Sequence, residues 1–168
     1  MQLPLVLKGF NLFVEGSNLH GLLVDVTRPK VAMKTETYQG GGMVGEVTLE
    51  QGIEAMEMEI TAKGYSAELL RQFGGTIAGK TVRYQGALQQ DDEEGYSELV
   101  GEARGRFVET DRGSDKQAEG GESKFKFVPT YWKETLNGEE LIEIDLLGQK
   151  FAVAGDDRLK GFRAALGL

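Results

Sequence analysis

The stretch Thr35–Lys63, TETYQGGGMVGEVTLEQGIEAMEMEITAK, decides how the rest of the chain is read. After the glycines Gly40, Gly41 and Gly42, acidic or hydroxyl residues alternate with apolar ones. Glu46, Thr48 and Glu50 fall to one side of Val47 and Leu49, and Glu57, Glu59 and Thr61 to one side of Met56, Met58 and Ile60. Side chains of a strand point to opposite faces with period two, so both runs read as strands with one apolar and one carboxylate-rich face. Gln51-Gly52-Ile53 is read as the bend that pairs them into a hairpin. Antiparallel sheets commonly show one face to water, and an acidic face can be plain solvent cover. The sharper reading is a wall that repels polyanions.

Strand signals continue outward in both directions. Asn11–Glu15 is predicted as a short strand closed by Glu15-Gly16-Ser17-Asn18, and Gly21–Thr27 and Lys30–Thr37 follow, separated by Pro29. Lys80–Leu88 and Tyr96–Glu109 are strands around the acidic turn Asp91–Gly95, and the polar segment Thr110–Glu122 is a loop. Asn137-Gly138 joins Lys124–Leu136 to Glu139–Leu146, because both turn residues tolerate positive φ. Two helices are predicted. Ser66 caps the first, with Leu69, Leu70 and Phe73 as its apolar stripe and Gly74 as its stop; the second runs from about Asp157 to Leu166, with Leu159, Phe162 and Leu166 on one face.

Composition narrows the function. The chain has 168 residues, enough for one domain with a proper core. Its 19 basic and 27 acidic residues give a formal charge of −8, which argues against gripping nucleic acid or an anionic membrane through bulk electrostatics. There is no cysteine, so disulfides, thiol chemistry and cysteine zinc sites are unavailable. Leu3, Leu5, Val6 and Leu7 follow no positive charge and precede no small-residue cleavage site, so the start does not read as a signal peptide. No apolar run approaches membrane-spanning length.

The search for chemistry meets one formal motif. Gly74–Thr81, GGTIAGKT, satisfies the phosphate-loop pattern, but that motif needs a strand before it and a helix after it, and here the order is reversed. A helix cap followed by a turn explains it better. His20 is the only histidine, and no G-x-S-x-G elbow accompanies it. Glu57 with Glu59, and Glu143 with Asp145, are carboxylate pairs of the kind a glycosidase uses, although i, i+2 spacing on a strand only places both on one face. Asp91–Glu94 lacks calcium-loop spacing, and Trp132 beside Tyr131 reads as core or interface. What remains is an antiparallel β chain whose two-faced hairpin leaves unpaired edges, which another chain would complete.

The residues also resemble a known family. Asn11-Leu12-Phe13-Val14-Glu15-Gly16, Pro29-Lys30, Lys34–Met43, Gly52–Glu57, Leu141–Asp145 and the ending Arg163–Leu168 occur in the order and spacing of the major tail tube protein of contractile-tailed bacteriophages, including the tube protein of R-type pyocins. The resemblance runs from end to end, and Tyr38–Met43 and Leu166-Gly167-Leu168 are its most specific parts. Ala154 departs from it, standing where a polar turn residue is expected before Gly155.

The resemblance implies a mainly β subunit. Its fold would be an antiparallel β-sandwich or barrel-like tail tube domain over residues 1–168, with a short flanking helix and a C-terminal helix, an arm and lumen hairpin at about 35–63, and a surface loop at about 109–122. Six copies would form a ring, rings would stack into a tube, and the extended hairpins would join in one lumen barrel. Glu46, Thr48, Glu50, Glu57, Glu59 and Thr61 then become the candidate lumen-facing residues, with Val47, Leu49, Met56, Met58 and Ile60 anchoring the barrel to the subunit body. Thr37, Tyr38, Gly40, Gly41, Gly42 and Met43 become the candidate contacts between subunits. The implied partners are further copies of the chain, a tail sheath protein, and a tape-measure protein and DNA held in the lumen without specific binding. No catalytic residue, cofactor, metal or membrane anchor is implied, and the place of action would be a virion tail assembled in the host cytoplasm. The competing readings are the tube of a bacteriocin or type VI-like injection machine, a monomeric β binding module, and a carboxylate-pair enzyme with a pocket at Glu57 or Glu143.

Overall fold

The computed structural model describes residues 1–168. In chain order the strands are β1 (Val6–Val14), β2 (Ser17–Asn18), β3 (Leu23–Thr27), β4 (Met33–Tyr38), β5 (Val47–Ile53) and β6 (Met58–Lys63). After helix α1 (Ala67–Leu70) come β7 (Lys80–Gln89), β8 (Ser97–Asp111), β9 (Glu122–Leu136), β10 (Glu139–Asp145), β11 (Lys150–Val153) and β12 (Asp156–Asp157), and α2 (Lys160–Ala165) ends the chain. A ten-stranded antiparallel sheet runs β12-β11-β10-β9-β8-β7-β1-β2, with β6 and then β3 branching from β9; β4 and β5 form a separate two-stranded ribbon.

The branch lies in β9. Its first half, Glu122–Phe127, pairs with β6, and its second half, Tyr131–Leu136, pairs with β10, while β8 runs beside both. Pro129 and an irregularity opposite Arg104 and Gly105 mark the changeover, as expected of a residue that cannot donate to a ladder. Beyond this point the β6–β3 pair turns back, so that Met58 and Ile60 share a buried cluster with Leu12 and Val14 of β1, Val82 and Tyr84 of β7, and Trp132 of β9. Period two is clear in β8, where Leu99, Ala103 and Phe107 are buried and Glu102, Arg104 and Arg106 are exposed. Phe107 meets Phe127 edge-on at 4.9 Å between ring centroids. A fully buried side chain of this size contributes roughly 1.5–3 kcal/mol.

Three tight turns share one backbone form. Glu15-Gly16, Asn137-Gly138 and Ala154-Gly155 all have positive φ at both residues (49° and 82°, 50° and 81°, 51° and 82°) and each joins two antiparallel strands. This mirror-image turn matches the twist of a hairpin. Ala154 therefore takes a left-handed conformation at the first position of this turn, where a polar turn residue is expected.

Several elements differ from the sequence reading. β1 begins at Val6, not Asn11, because the apolar start of the chain pairs with Leu88 and Gln89 of β7. β11 was missed. α2 is shorter than predicted, because Asp156 and Asp157 pair with Val153 and Ala152 before the helix starts. α1 is capped as expected, with Leu69 N–H donating to Ser66 Oγ and Gly74 at φ +83°, but of its predicted stripe only Leu69 is buried, and Phe73 is 55% exposed.

Candidate assembly surface

The stretch Thr35–Lys63 folds differently from the predicted hairpin. β5 pairs with β4, not β6: Thr35 faces Glu50, Glu36 faces Leu49, Thr37 faces Thr48 and Tyr38 faces Val47. Gly40–Met43 makes the turn region, where Met43 N–H donates to Gly40 O at 3.2 Å, Gly40 N–H donates to Met43 Sδ at 3.0 Å, and Gly42 takes φ +85°. Gln51-Gly52-Ile53 is not a bend between paired strands. It is the root of β5, where Gly52, at φ +111°, lies opposite a register shift between Met33 and Thr35. The long glycine-rich segment takes the hairpin turn, and Pro29 and the segment 54–57 break the ladder between β3–β6 and β4–β5.

Directly opposed residues of an antiparallel pair share a face. One face of the β4–β5 ribbon therefore carries Thr35, Thr37, Thr48 and Glu50, and the other carries Glu36, Tyr38, Val47 and Leu49. The second face is unburied, with Tyr38 54%, Val47 42% and Leu49 43% exposed. Val47 and Leu49 therefore do not anchor the ribbon to the body of their own chain. Met56, Met58 and Ile60, all at 0% exposure, do bury as predicted. Thr37, Tyr38, Gly40, Gly41, Gly42 and Met43 lie together at the far end of the ribbon.

Glu57 and Glu59 are exposed beside the inward-facing Met56, Met58 and Ile60. Thr61 is not exposed: it is 5% accessible, between Asp25 of β3 and Lys124 of β9 in the ladder. Period two gave its side but not its cover. The neighbours of the two glutamates were also missed. Lys126 Nζ stands 3.3 Å from Glu57 Oε1 and Lys124 Nζ stands 3.9 Å from Glu59 Oε1. On the far side of β9, Glu109 of β8 faces Lys126 and Asp111 faces Lys124. The sequence signal was Lys124-Phe125-Lys126-Phe127, which alternates as Glu57-Met58-Glu59-Ile60 does, with the opposite charge.

Four strands, in the order β3-β6-β9-β8, make this half of the sheet. Both its borders are open. β3 pairs only with β6, and β7 leaves β8 at Gly105, so residues 106–111 of β8 meet only a bridge from Phe73 and Gly74 to Phe107. Each border carries a one-residue irregularity that turns a valine outward: Val24 is 46% exposed on β3 and Val108 is 42% exposed on β8. Beside the latter, the buried Thr110 Oγ1 has no hydrogen-bond partner.

The remaining candidates are occupied otherwise. Glu143 accepts hydrogen bonds from Tyr131 Oη and Lys150 Nζ, each at 3.1 Å. Burial raises its carboxyl, but those bonds outweigh it and hold the group below the usual range. Tyr131 is pushed up to about 12 by burial and then by Glu143, although the Arg104 guanidinium 4.0 Å from its ring opposes the shift. A cavity of about 320 Å³ does border Glu57, lined also by Lys30, Glu54, Glu59 and Lys126. Of its lining carboxylates, Glu57 and Glu59 are each paired with a lysine. Gly74–Thr81 leads into strand β7, not a helix, and Trp132 is core, 1% exposed.

Known proteins are similar to this chain in sequence and in fold. Residues 4–167 fit the family model described as phage tail tube protein FII. The chain is 35% identical over 172 aligned positions, covering all of both chains, to the tail tube protein of Escherichia phage P2. It is 36% identical over 149 residues to the major tail tube protein of Serratia phage KSP20, covering 88% of this chain and 86% of that one. The fold is similar to two chains from cryo-EM structures of PVC, an extracellular contractile injection system. For the sheath/tube terminator in the extended state the TM-score is 0.59 at 8% identity, over 79% of this chain and 96% of the other. For the sheath-tube complex it is 0.59 at 9% identity, over 79% and 91%.

Proposed function

This chain belongs to the phage tail tube protein FII family and is a structural tube subunit of a contractile tail, and we propose that its copies close into hexameric rings through the two open borders of the β3-β6-β9-β8 half-sheet. The observation that carries this reading is the strand direction. β3, β6, β9 and β8 are successively antiparallel, so with four strands the bordering β3 and β8 run in opposite directions. A neighbour rotated about a ring axis then brings its β8 alongside β3 antiparallel, and the alternation continues around the ring. Heterologous contacts of this kind close when the rotation closes. Six copies of four strands, spaced ~4.8 Å apart and tilted ~40°, give a backbone diameter of about 48 Å. A DNA duplex passes such an opening.

Rings stack into a hollow tube, with Thr37–Met43 at the ribbon tip reaching the next ring and the apolar face of Tyr38, Val47 and Leu49 covered by neighbouring copies. The role is passive and non-enzymatic: the tube is conduit for DNA and housing for a tape-measure protein, and it is driven into the host envelope when the surrounding sheath contracts. Assembly takes place in the cytoplasm of the bacterial host. A bacteriocin or injection-machine tube is the second reading, favoured by the fold shared with the injection-system chains; the cargo separates the two.

The test is Val24→Lys combined with Val108→Lys. Both side chains are already exposed, so the variant should fold with unchanged circular dichroism yet give no tubes by negative-stain microscopy. Tubes of normal diameter from that variant would rule out closure through these borders.

A further inference from the structure

The exposed face of the β3-β6-β9-β8 half-sheet mixes charges in a fixed order. Lys126 stands in the ladder between Glu59 on one side and Glu109 on the other, with its Nζ on Glu57; Lys124 stands beside Asp111, with its Nζ on Glu59. Lys126 also lines the 320 Å³ cavity with Lys30, a concave place larger than one phosphate group. Two residues along a strand separate the lysines by ~6.6 Å, and phosphates of one DNA strand recur every ~3.4 Å of axis, so neighbouring phosphates lie within the span of the pair.

We infer that this face is a latent phosphate-binding surface for a DNA duplex, kept closed because Glu57 and Glu59 occupy its two lysines while Glu109 and Asp111 of β8 stand opposite them. The main task of Glu57 and Glu59 is then to quench Lys124 and Lys126, not to repel a polyanion at a distance. Range supports this. In physiological salt the Debye length is ~8 Å, so a carboxylate acts mainly on its immediate neighbours. Four carboxylates around two lysines leave the cluster acidic, and a phosphate gains a lysine only by displacing a carboxylate already beside it. The inference rests on the tube reading for its consequence, that DNA slides without sticking, but the pairing itself belongs to the single chain.

The experiment uses the full-length unassembled chain and a short fluorescent DNA duplex, read by anisotropy between about 20 and 200 mM salt. The wild-type chain should not bind. Glu57→Gln with Glu59→Gln should bind at the low-salt end, and adding Glu109→Gln and Asp111→Asn should strengthen it, with a log–log salt slope of about −2, the value for two freed lysines. Adding Lys124→Gln and Lys126→Gln to that set should abolish the gain. If binding persists without the lysines, or if the carboxylate-free variants stay folded by circular dichroism and do not bind, the latent surface is refuted. Cryo-EM of assembled tubes, locating Glu59 relative to the lumen, tests the tube reading separately, and each can fail without the other.

Discussion

Trp132 fills the space that a side chain at Gly101 would need: a Cβ built on Gly101 would lie 2.2 Å from Trp132 Cη2. Gly101 and Trp132 come from the paired strands β8 and β9, and both are buried. Gly101→Ala should therefore push the indole off its seat and lower stability by roughly 1–3 kcal/mol. The urea midpoint of the unassembled chain measures it, and an unchanged midpoint would mean that the ring has room to move. Gly105→Ala should be worse, because there the added carbon meets the Val128 carbonyl oxygen at 2.1 Å, and backbone yields less readily than a side chain.

Ala154→Asn should stabilise the chain. Ala154 and Asn137 occupy the same position of the same turn, at φ 51° and 50°, and asparagine tolerates that conformation better than alanine. A gain of about 1 kcal/mol corresponds to roughly 2–4 °C in Tm for a chain of this size. A melting temperature equal to or below that of the parent would show that the alanine is not strained there.

Acid should loosen the C-terminal helix. Arg163 pairs with Asp157 of β12 and also donates to Gln149 O at 2.9 Å, tying α2 to β12 and to the turn just before β11, and Asp157 is held below the usual carboxylate range chiefly by Arg163. A carboxylate depressed in the folded state contributes stability that is present above its unfolded pKa of about 4 and lost as the pH falls through the lower folded value. Glu143 adds a contribution of the same sign. Stability should thus be level from neutrality to about pH 5 and fall below about pH 4, and Asp157→Asn should flatten part of that fall. Denaturant midpoints across this range test it; a variant with the full acid dependence would remove the Asp157 clamp as a cause.

Glu57→Lys with Glu59→Lys should leave tube assembly largely intact and slow genome ejection. The substituted side chains point away from the core, but they would stand beside Lys124 and Lys126 in place of the carboxylates paired there. Ejection kinetics from particles carrying the variant give the readout, and normal ejection from well-formed tubes would contradict a non-adhesive role for this face.

Much of this was legible in the sequence because alternation and turn chemistry are local. Lys80–Leu88, Tyr96–Glu109 and the strands around Asn137-Gly138 could be placed to within a few residues, as could the Ser66 cap. Which strand pairs with which was less legible. Glu46–Glu50 and Glu57–Thr61 both alternate correctly, yet a period describes one strand and says nothing about its partner; the ladder joining Val47 to Tyr38 depends on turn geometry across the glycines. The lysines beside Glu57 and Glu59 lie more than sixty residues further along the chain, and only the sheet brings them together. Thr61 keeps the side that period two gives it but is buried, standing in the ladder between Asp25 and Lys124 on strands its own pattern cannot name.

The irregularities at Val24 and Val108 have a bearing on life before assembly. An uninterrupted, flat border is a template for indiscriminate stacking into fibrils, whereas a bulged one twists away from its like. Chains with both borders kinked in this way resist stacking edge to edge on their own kind.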